Sequence, residues 1–254
     1  MNLDRGPKQR RQLVFVPDAE ALAESAAKRL LARVAHVEGR AAICLTGGTG
    51  PEGLYKRLAQ DPYRSAVPWE RIHWFIGDER CVSADHALSN MGAARRLLLD
   101  HVGVPADNIH PMATDAASPD ATARLYEAEL KRFYGRDRLD PANLLFDLVL
   151  MGLGSDGHTA SLFPDSAALE EQQRWVVGVE RAGLAPFVPR VTLTLPTLAS
   201  THEMLFLVSG EDKREILIRV LSDEDLPATR AHSEGDLVWL INRAIGLEDL
   251  DAAE

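Results

Sequence analysis

The chain has 254 residues, of which 46% are hydrophobic and 26% charged, a composition typical of a globular domain with a substantial core. Its formal net charge of −10 excludes a broad basic surface that would hold nucleic acid or anionic lipid, so an anionic ligand requires a small local group of cations. No run approaches the roughly 20 apolar residues that cross a bilayer, and the apolar run after the basic N-terminus is too short for a signal peptide.

These exclusions lead us to expect a cytoplasmic protein that has neither a nucleic acid nor a membrane as partner. The two cysteines agree with that expectation. Cys44 and Cys81 each lie in or beside an apolar run and have no nearby cysteine in sequence, which favours buried, reduced thiols.

Short apolar runs alternate with amphipathic segments, the pattern of a mostly parallel sheet covered by helices. The apolar runs predict strands over 13–16, 41–45, 72–76, 146–151, 175–179, 190–195 and 204–208. The amphipathic segments predict helices over about 18–37, 51–59, 89–101, 121–134, 212–221 and 236–245, with a polar loop over 110–120. We expect a single α/β domain over 1–254, with a mostly parallel, Rossmann-like sheet flanked by helices and short flexible ends at about 1–10 and 248–254.

The first segment with chemical potential is the turn TGGTGPEG at 46–53, between a predicted strand and a predicted helix. Glycines let a backbone turn tightly and bring its N–H groups close to a ligand, and a following helix N-terminus favours an anion. Gly48, Gly50 and Gly53 match the dinucleotide pattern G-x-G-x-x-G, but the expected acidic residue after the next strand belongs to a longer motif. No Gly-Lys-Ser/Thr follows, so this is not a Walker loop. A tight turn without a ligand is the alternative.

The second segment is GDER at 77–80, directly after a hydrophobic strand. Ligands of open α/β sheets bind at the carboxyl ends of strands. Asp78 or Glu79 could there orient a substrate hydroxyl or take a proton, and Arg80 could hold a carboxylate or phosphate. The alternative is a solvated turn with an internal ion pair.

The third segment, GLGSDGHTAS at 152–161, is the most informative. It also contains G-x-G-x-x-G, which shows how little that pattern discriminates. Asp156 and His158 are separated by one glycine, and a neutral imidazole can take a proton from water as the water attacks a carbonyl. A nearby carboxylate could fix the tautomer of the ring, so we interpret His158 as catalytic rather than structural.

Three cations at predicted strand ends supply the local positive charge that the acidic composition demands: Arg80, Arg190 and Lys213. Each taken alone could be an ordinary surface residue. Ser155 is not a nucleophile elbow, and the chain contains neither H-E-x-x-H nor C-x-x-C, so a zinc site would need ligands assembled from distant segments. The other histidines are expected to be structural, with His86 the partial exception because it lies between GDER and a Ser-Asn pair.

At these residues the sequence resembles the 6-phosphogluconolactonases, which are relatives of the glucosamine-6-phosphate deaminases. The matching stretches are LTGGTGPEGLY, WFIGDERCVSADHALSN, FDLVLMGLGSDGHTASLFP, RVTLTLP and SGEDKREIL. WFIGDER with the downstream His and SN, together with GSDGHTASLFP, is specific to the lactonases, whereas the deaminases share only DGH. The resemblance implies the deaminase/isomerase-like lactonase fold and metal-independent hydrolysis of a phosphorylated sugar lactone in the pentose phosphate pathway.

The resemblance also implies roles for individual residues. His158 resembles the general base of the family, with Asp156 its neighbour, and Asp78 falls near the sugar. The residues that resemble phosphate and substrate contacts are Gly47, Gly48, Thr49, Arg80 and Lys213, and Arg190 aligns with a further basic position. The chain departs from the family at Asn242, where an Asp is usual, and this concerns the packing of the last predicted helix.

Three other functions remain open at this stage. An amino-sugar-phosphate deaminase or isomerase of the same fold would use a carboxylate such as Asp78 to move a proton between carbons. A non-catalytic sugar-phosphate sensor would bind the ligand without turnover. A nicotinamide dehydrogenase would bind its cofactor at one of the glycine-rich turns.

Overall fold

Two sheets organise the chain. In the computed structural model, which describes residues 9–35 and 37–246, the strands are β1 (Gln12–Val16), β2 (Ala41–Leu45), β3 (Ile72–Ile76), β4 (Asp78–Arg80), β5 (Leu148–Met151), β6 (Val176–Val179), β7 (Arg190–Leu193), β8 (Glu203–Val208) and β9 (Asp236–Asn242). Six of them form a parallel sheet in the order β1-β9-β8-β5-β2-β3. The other three form a small antiparallel sheet in the order β4-β7-β6.

The helices are α1 (Ala19–Ala35), α2 (Glu52–Leu58), α3 (Tyr63–Ala66), α4 (Asn90–Leu97), α5 (Pro119–Tyr134), α6 (Leu195–Ala199), α7 (Arg214–Leu221) and α8 (Pro227–Arg230). Polar caps set several of their starts. Ser118 accepts a hydrogen bond from the backbone of Ala121 and starts α5 just before its proline, while Ser89 accepts one from Gly92 and starts α4. None of the helices in the described ranges is long and apolar enough to cross a membrane.

The central strands are buried on both faces, which explains their unbroken apolar runs. Every residue of β2, β5 and β8 is buried, and one hydrophobic cluster extends across the large sheet and the helices packed on it. The predicted α/β class with a mostly parallel sheet is therefore confirmed. Of the expected flexible ends, 1–8 and 248–254 lie outside the described residues, whereas Gln9 is described and donates a hydrogen bond to the backbone oxygen of Gly235.

The prediction of a helix over 236–245 is wrong. This segment is strand β9, which lies between β1 and β8, followed by a single 3-10 turn. An apolar run of this length fits either a buried strand or a buried helix, so its periodicity could not decide between them. Trp239 stacks on Phe206 of β8 with ring centroids 3.9 Å apart. Asn242 ends the strand, and its side-chain oxygen caps the turn by accepting from the backbone of Ala244.

The predicted strands over 175–179 and 190–195 exist, but they do not join the parallel sheet. They form β6 and β7, which pair with each other in antiparallel orientation. Residues of the GDER segment form the third strand, β4, which pairs with β7. GDER is therefore not a turn. Because it is a strand, its charged side chains are fixed by ladder pairing, and Arg80 lies in register with Arg190.

Candidate functional site

A cleft of about 240 Å³ lies at the carboxyl ends of the parallel strands. Most of its walls come from the segments that follow β2, β3, β5 and β8, which are four consecutive neighbours in the large sheet, and the small sheet adds Leu184 and Arg190. Parallel strands deliver the loops after their carboxyl ends to the same edge, so residues far apart in sequence meet there. Eight of the nine site residues predicted from sequence line this cleft: Gly47, Gly48, Thr49, Asp78, Arg80, His158, Arg190 and Lys213. The ninth, Asp156, contacts His158 from behind.

Asp156 and His158 form a hydrogen-bonded pair. The Nδ1 atom of His158 lies 2.5 Å from Oδ1 of Asp156, which also accepts the backbone N–H of His158 at 3.1 Å. Burial raises the pKa of Asp156, but the hydrogen bonds and the charge of His158 outweigh burial and hold that pKa below its usual range. An ionised carboxylate only accepts, so Nδ1 carries a proton in this pair, and in a neutral ring the lone pair is on Nε2.

Glycines of the same loop make room for the imidazole. A Cβ atom on Gly154 would lie 2.0 Å from Nδ1 of His158, so the ring occupies the space that any side chain there would need. Gly157 has a positive φ of 84°, which turns the chain back toward the cleft. Phe163 packs against the ring on another side, with centroids 4.6 Å apart. Within the second G-x-G-x-x-G match, Gly154 is therefore the glycine that the histidine ring requires.

The glycine turn after β2 is fixed from below by Tyr55 of α2. The buried Tyr55 hydroxyl donates to the backbone oxygen of Thr46 at 2.7 Å and accepts from its N–H at 3.2 Å. Gly48 has a φ of 80°, a conformation that disfavours any side chain at this position. The turn therefore presents backbone to the cleft on a rigid support.

Two guanidinium groups lie side by side in the cleft. Arg80 and Arg190 are register partners in the β4–β7 ladder, and within the described ranges neither forms a salt bridge with a carboxylate. Each donates to one backbone oxygen, of Leu88 and Pro186 respectively, and each has a buried Nε without a hydrogen-bond partner. Burial, followed by the charge of Arg80, lowers the pKa of Arg190. Such a pair is suited to binding an anion.

Lys213 adds a third cation from the turn after β8, immediately before α7. Its Nζ lies 3.1 Å from Oδ2 of Asp212, so part of its charge is already compensated. The guanidinium carbon of Arg190 lies 6.0 Å from the centre of the Phe163 ring, which also packs on His158. All three cations therefore line one cleft.

The two carboxylates of GDER have different surroundings. Asp78 lines the cleft, whereas Glu79 is turned away from it and accepts hydrogen bonds from the start of α4. The internal ion pair considered from sequence does not form, since neither carboxylate is bridged to Arg80. His86 is exposed and does not line the cleft.

Three of the residues that sequence reasoning missed bear on the chemistry of this region. Asn90 and Leu184 line the cleft, and Ser161 hydrogen-bonds to Asp78. Asn90 and Ser161 stood inside quoted motifs, so a signal existed, but Leu184 lies in the β6–β7 loop without any pattern. No group of three or more metal-ligating side chains occurs in the part of the chain that the structure describes.

The parallel sheet, the cationic cleft at its carboxyl edge and the Asp–His pair define the class, an α/β protein whose cleft has the charge and size suited to a small anion. Sequence comparison then gives the family. The chain belongs to the glucosamine-6-phosphate isomerases/6-phosphogluconolactonase family, whose model matches residues 17–239.

Several relatives cover nearly the whole chain. A 6-phosphogluconolactonase of Synechocystis is 41% identical over 213 residues, which are 82% of this chain and 84% of the relative. One of Mycobacterium tuberculosis is 36% identical over 237 residues, 89% and 94% of the two chains. The crystal structure of 6-phosphogluconolactonase from Thermotoga maritima superimposes with a TM-score of 0.79 at 28% identity, covering 92% of this chain and 100% of that one. The family resemblance read from the sequence is confirmed.

Proposed function

We propose that the chain hydrolyses 6-phospho-D-glucono-1,5-lactone to 6-phosphogluconate in the pentose phosphate pathway, without a metal or cofactor. The observation that carries the proposal is the imidazole of His158, hydrogen-bonded through Nδ1 to Asp156 and lining a cleft that also contains Arg80, Arg190 and Lys213. The lactonase names of the relatives support the same reaction.

His158 acts as the general base in this proposal. Its Nε2 takes a proton from water as the water oxygen bonds to the lactone carbonyl carbon. The carbon–ring-oxygen bond then breaks, and the imidazolium returns its proton to the departing ring oxygen, which becomes a hydroxyl of the open product. Asp156 keeps the ring in one tautomer and stabilises the imidazolium that forms between these steps.

The phosphate of the substrate is held, in the same proposal, by backbone N–H groups at Gly47, Gly48 and Thr49 together with Lys213 and Arg80. A dianion beside these donors replaces solvent with charge-assisted hydrogen bonds, which fixes the ring relative to the imidazole. Arg190 lines the same cleft, and we assign it to substrate charge as well. Asp78 faces the sugar hydroxyls as an acceptor.

The geometry favours hydrolysis over the alternatives. A deaminase or isomerase would need Asp78 as a mobile base, yet both of its oxygens already accept hydrogen bonds from side chains. The second glycine-rich loop has no room for a nicotinamide cofactor, because the imidazole occupies the space beside Gly154. A sensor without turnover has no use for an oriented Asp–His pair.

We further propose a single domain that acts in the cytoplasm on a small sugar phosphate and does not bind nucleic acid. A continuous hydrophobic cluster across the large sheet supports one domain. Cys44 and Cys81 are both free thiols, as the reducing cytoplasm maintains them.

The decisive experiment measures hydrolysis of freshly generated lactone, corrected for its spontaneous opening. His158→Ala should remove most turnover while 6-phosphogluconate still binds, and His86→Ala, an exposed histidine outside the cleft, should behave as wild type. Ammonia release from glucosamine 6-phosphate is measured in parallel. Turnover of the amino sugar without turnover of the lactone would replace the proposal with the deaminase.

A further inference from the structure

Glu79 fixes the beginning of α4 to the strand β4. This carboxylate is 3% exposed and accepts the backbone N–H groups of Asn90 at 2.7 Å and Met91 at 2.8 Å, as well as the hydroxyl of Ser89 at 3.1 Å. Burial raises the pKa of Glu79, and the backbone donors offset only part of that rise. A buried carboxylate with this many donors has a structural role, and here it fixes the position of Asn90 at the start of α4.

Asn90 uses that fixed position to contact Asp78. Its side-chain Nδ2 donates to the backbone oxygen of Asp78 at 2.9 Å and to the Oδ1 atom at 3.3 Å. The Asn90 side chain is almost completely buried, and its own Oδ1 has no hydrogen-bond partner. An unpaired buried acceptor is unfavourable, so the two hydrogen bonds that Nδ2 donates to Asp78 must account for this orientation of the Asn90 amide.

Gly47 in the first glycine turn completes the arrangement. A Cβ at this position would lie 1.9 Å from Oδ1 of Asn90, so the amide fills the space that any side chain would need. The same side chain therefore touches the turn after β2 and the carboxylate that follows β3.

Ser161 holds the other oxygen of Asp78. Its hydroxyl is fully buried and donates to Oδ2 at 2.6 Å, while its N–H donates to the hydroxyl of Thr192 in β7. Ser161 lies three residues after His158, so this hydrogen bond joins the loop that carries the imidazole to strand β4. Both oxygens of Asp78 are thus fixed by neutral donors from two different segments.

We propose that Asn90 and Ser161 are positioning residues, which set the plane of the Asp78 carboxylate so that its remaining lone pairs accept hydroxyls of the sugar. The inference rests on the proposed lactone hydrolysis, in which Asp78 contacts the substrate. A carboxylate oxygen can accept more than one hydrogen bond, so each one retains capacity for a ligand. Fixing it in advance removes the ordering that a freely rotating group would require on binding.

A double-mutant cycle tests whether Asn90 acts through Asp78. Asn90→Ala should lower kcat/KM by about tenfold to a hundredfold, the range for a lost hydrogen bond to a charged group. In the Asp78→Ala background the same change should have less than about a twofold effect, because the group to be positioned is gone. Equal losses in both backgrounds would mean a general structural role and would overturn the inference. Ser161→Ala gives a second cycle if Asn90→Ala does not fold.

A pH profile of Asn90→Asp gives an independent readout. Near neutral pH the new carboxylate lies against Asp78 and cannot donate, so activity should fall as in Asn90→Ala. As the pH is lowered, two carboxyl groups this close share a proton, and the new group becomes a donor again. Activity relative to wild type should therefore recover at acid pH in Asn90→Asp, and stay flat in Asn90→Ala.

The matched control is Asn108→Asp. Asn108 is also buried and also donates through Nδ2 to a backbone oxygen, that of Glu70, but it does not line the cleft. The activity of Asn108→Asp relative to wild type should not change with pH. A flat profile for Asn90→Asp, with wild-type turnover present, would refute the positioning role alone. Absence of lactone turnover in the wild type would instead refute the proposed function, and the inference with it.

Discussion

Gly154→Ala is the most direct perturbation of the imidazole that leaves every functional group in place. The added Cβ would lie 2.0 Å from Nδ1 of His158, 2.1 Å from Cε1 and 2.7 Å from Cγ, whereas real Cβ contacts stay above 3.0 Å. The ring must therefore move by about 1 Å or rotate away. Either movement breaks the 2.5 Å contact with Asp156 that orients it.

The expected cost is about 10²-fold in kcat, equivalent to about 2.7 kcal/mol of transition-state stabilisation, because a misplacement of about 1 Å has effects of that order. The fold should survive, since Gly154 does not have a positive φ and the ring can turn into the open cleft. We expect the melting temperature to change by only a few degrees.

The assay is lactone hydrolysis at saturating substrate, with thermal unfolding measured on the same samples. Gly103→Ala is the control, because its Cβ would meet no atom within 4 Å and its φ is also not positive. A Gly154→Ala protein with wild-type kcat would show that the reaction does not depend on the position of the His158 ring. A large loss of melting temperature would show that the glycine serves the fold.

Three further results are expected. Leu184→Ala removes an apolar side chain from the wall of the cleft and should raise KM about five- to tenfold with kcat unchanged, because about 40–60 Å² of apolar contact is lost. Phe187 is exposed in the same loop but lies outside the cleft, so Phe187→Ala should change neither KM nor kcat. Equal effects of the two substitutions would indicate a general loosening of the loop. Asp156→Asn should lower kcat by about 10²-fold or more, because the amide can donate to Nδ1 and favour the wrong tautomer; an unchanged kcat would exclude the orienting role. Burial, together with a neighbouring imidazole, lowers the pKa of His73 from 6.5 to about 4, so between these pH values the unfolded state binds a proton that the folded state does not bind. The free energy of unfolding should therefore fall as the pH drops from 6.5 to 4, and it should fall less in His73→Phe. Identical pH dependences of the two proteins in urea unfolding would contradict this assignment.

The sequence contained most of the information on the parallel sheet. Runs such as 41–45 and 204–208 are apolar throughout, and such runs flanked by amphipathic helices occur in strands that are buried on both faces. The same reasoning failed at 236–245, where the run LVWLIN carries no helical or alternating period. Its partners β1 and β8 decide its conformation, and they are more than two hundred and about thirty residues away, respectively.

Much of the cleft also followed from one rule, that polar residues after the carboxyl ends of parallel strands converge. That rule was enough to place His158 together with Arg80 and Lys213. It could not separate Asp78 from Glu79, because the direction of each side chain depends on the pairing of GDER with β7, a long-range contact. Leu184 could not be predicted either, because its loop reaches the cleft only through the long-range pairing of the small antiparallel sheet.

The pairing of Arg80 with Arg190 in one ladder has a practical consequence. The ladder keeps the two strands that carry these like charges side by side, and the charge of Arg80 disfavours the protonated form of Arg190, so a small multivalent anion should bind between them without substrate. Phosphate, sulfate or citrate in a buffer should therefore raise the melting temperature more than chloride does at equal ionic strength, and should compete with substrate. Kinetic constants measured in phosphate buffer would then describe a partly inhibited protein.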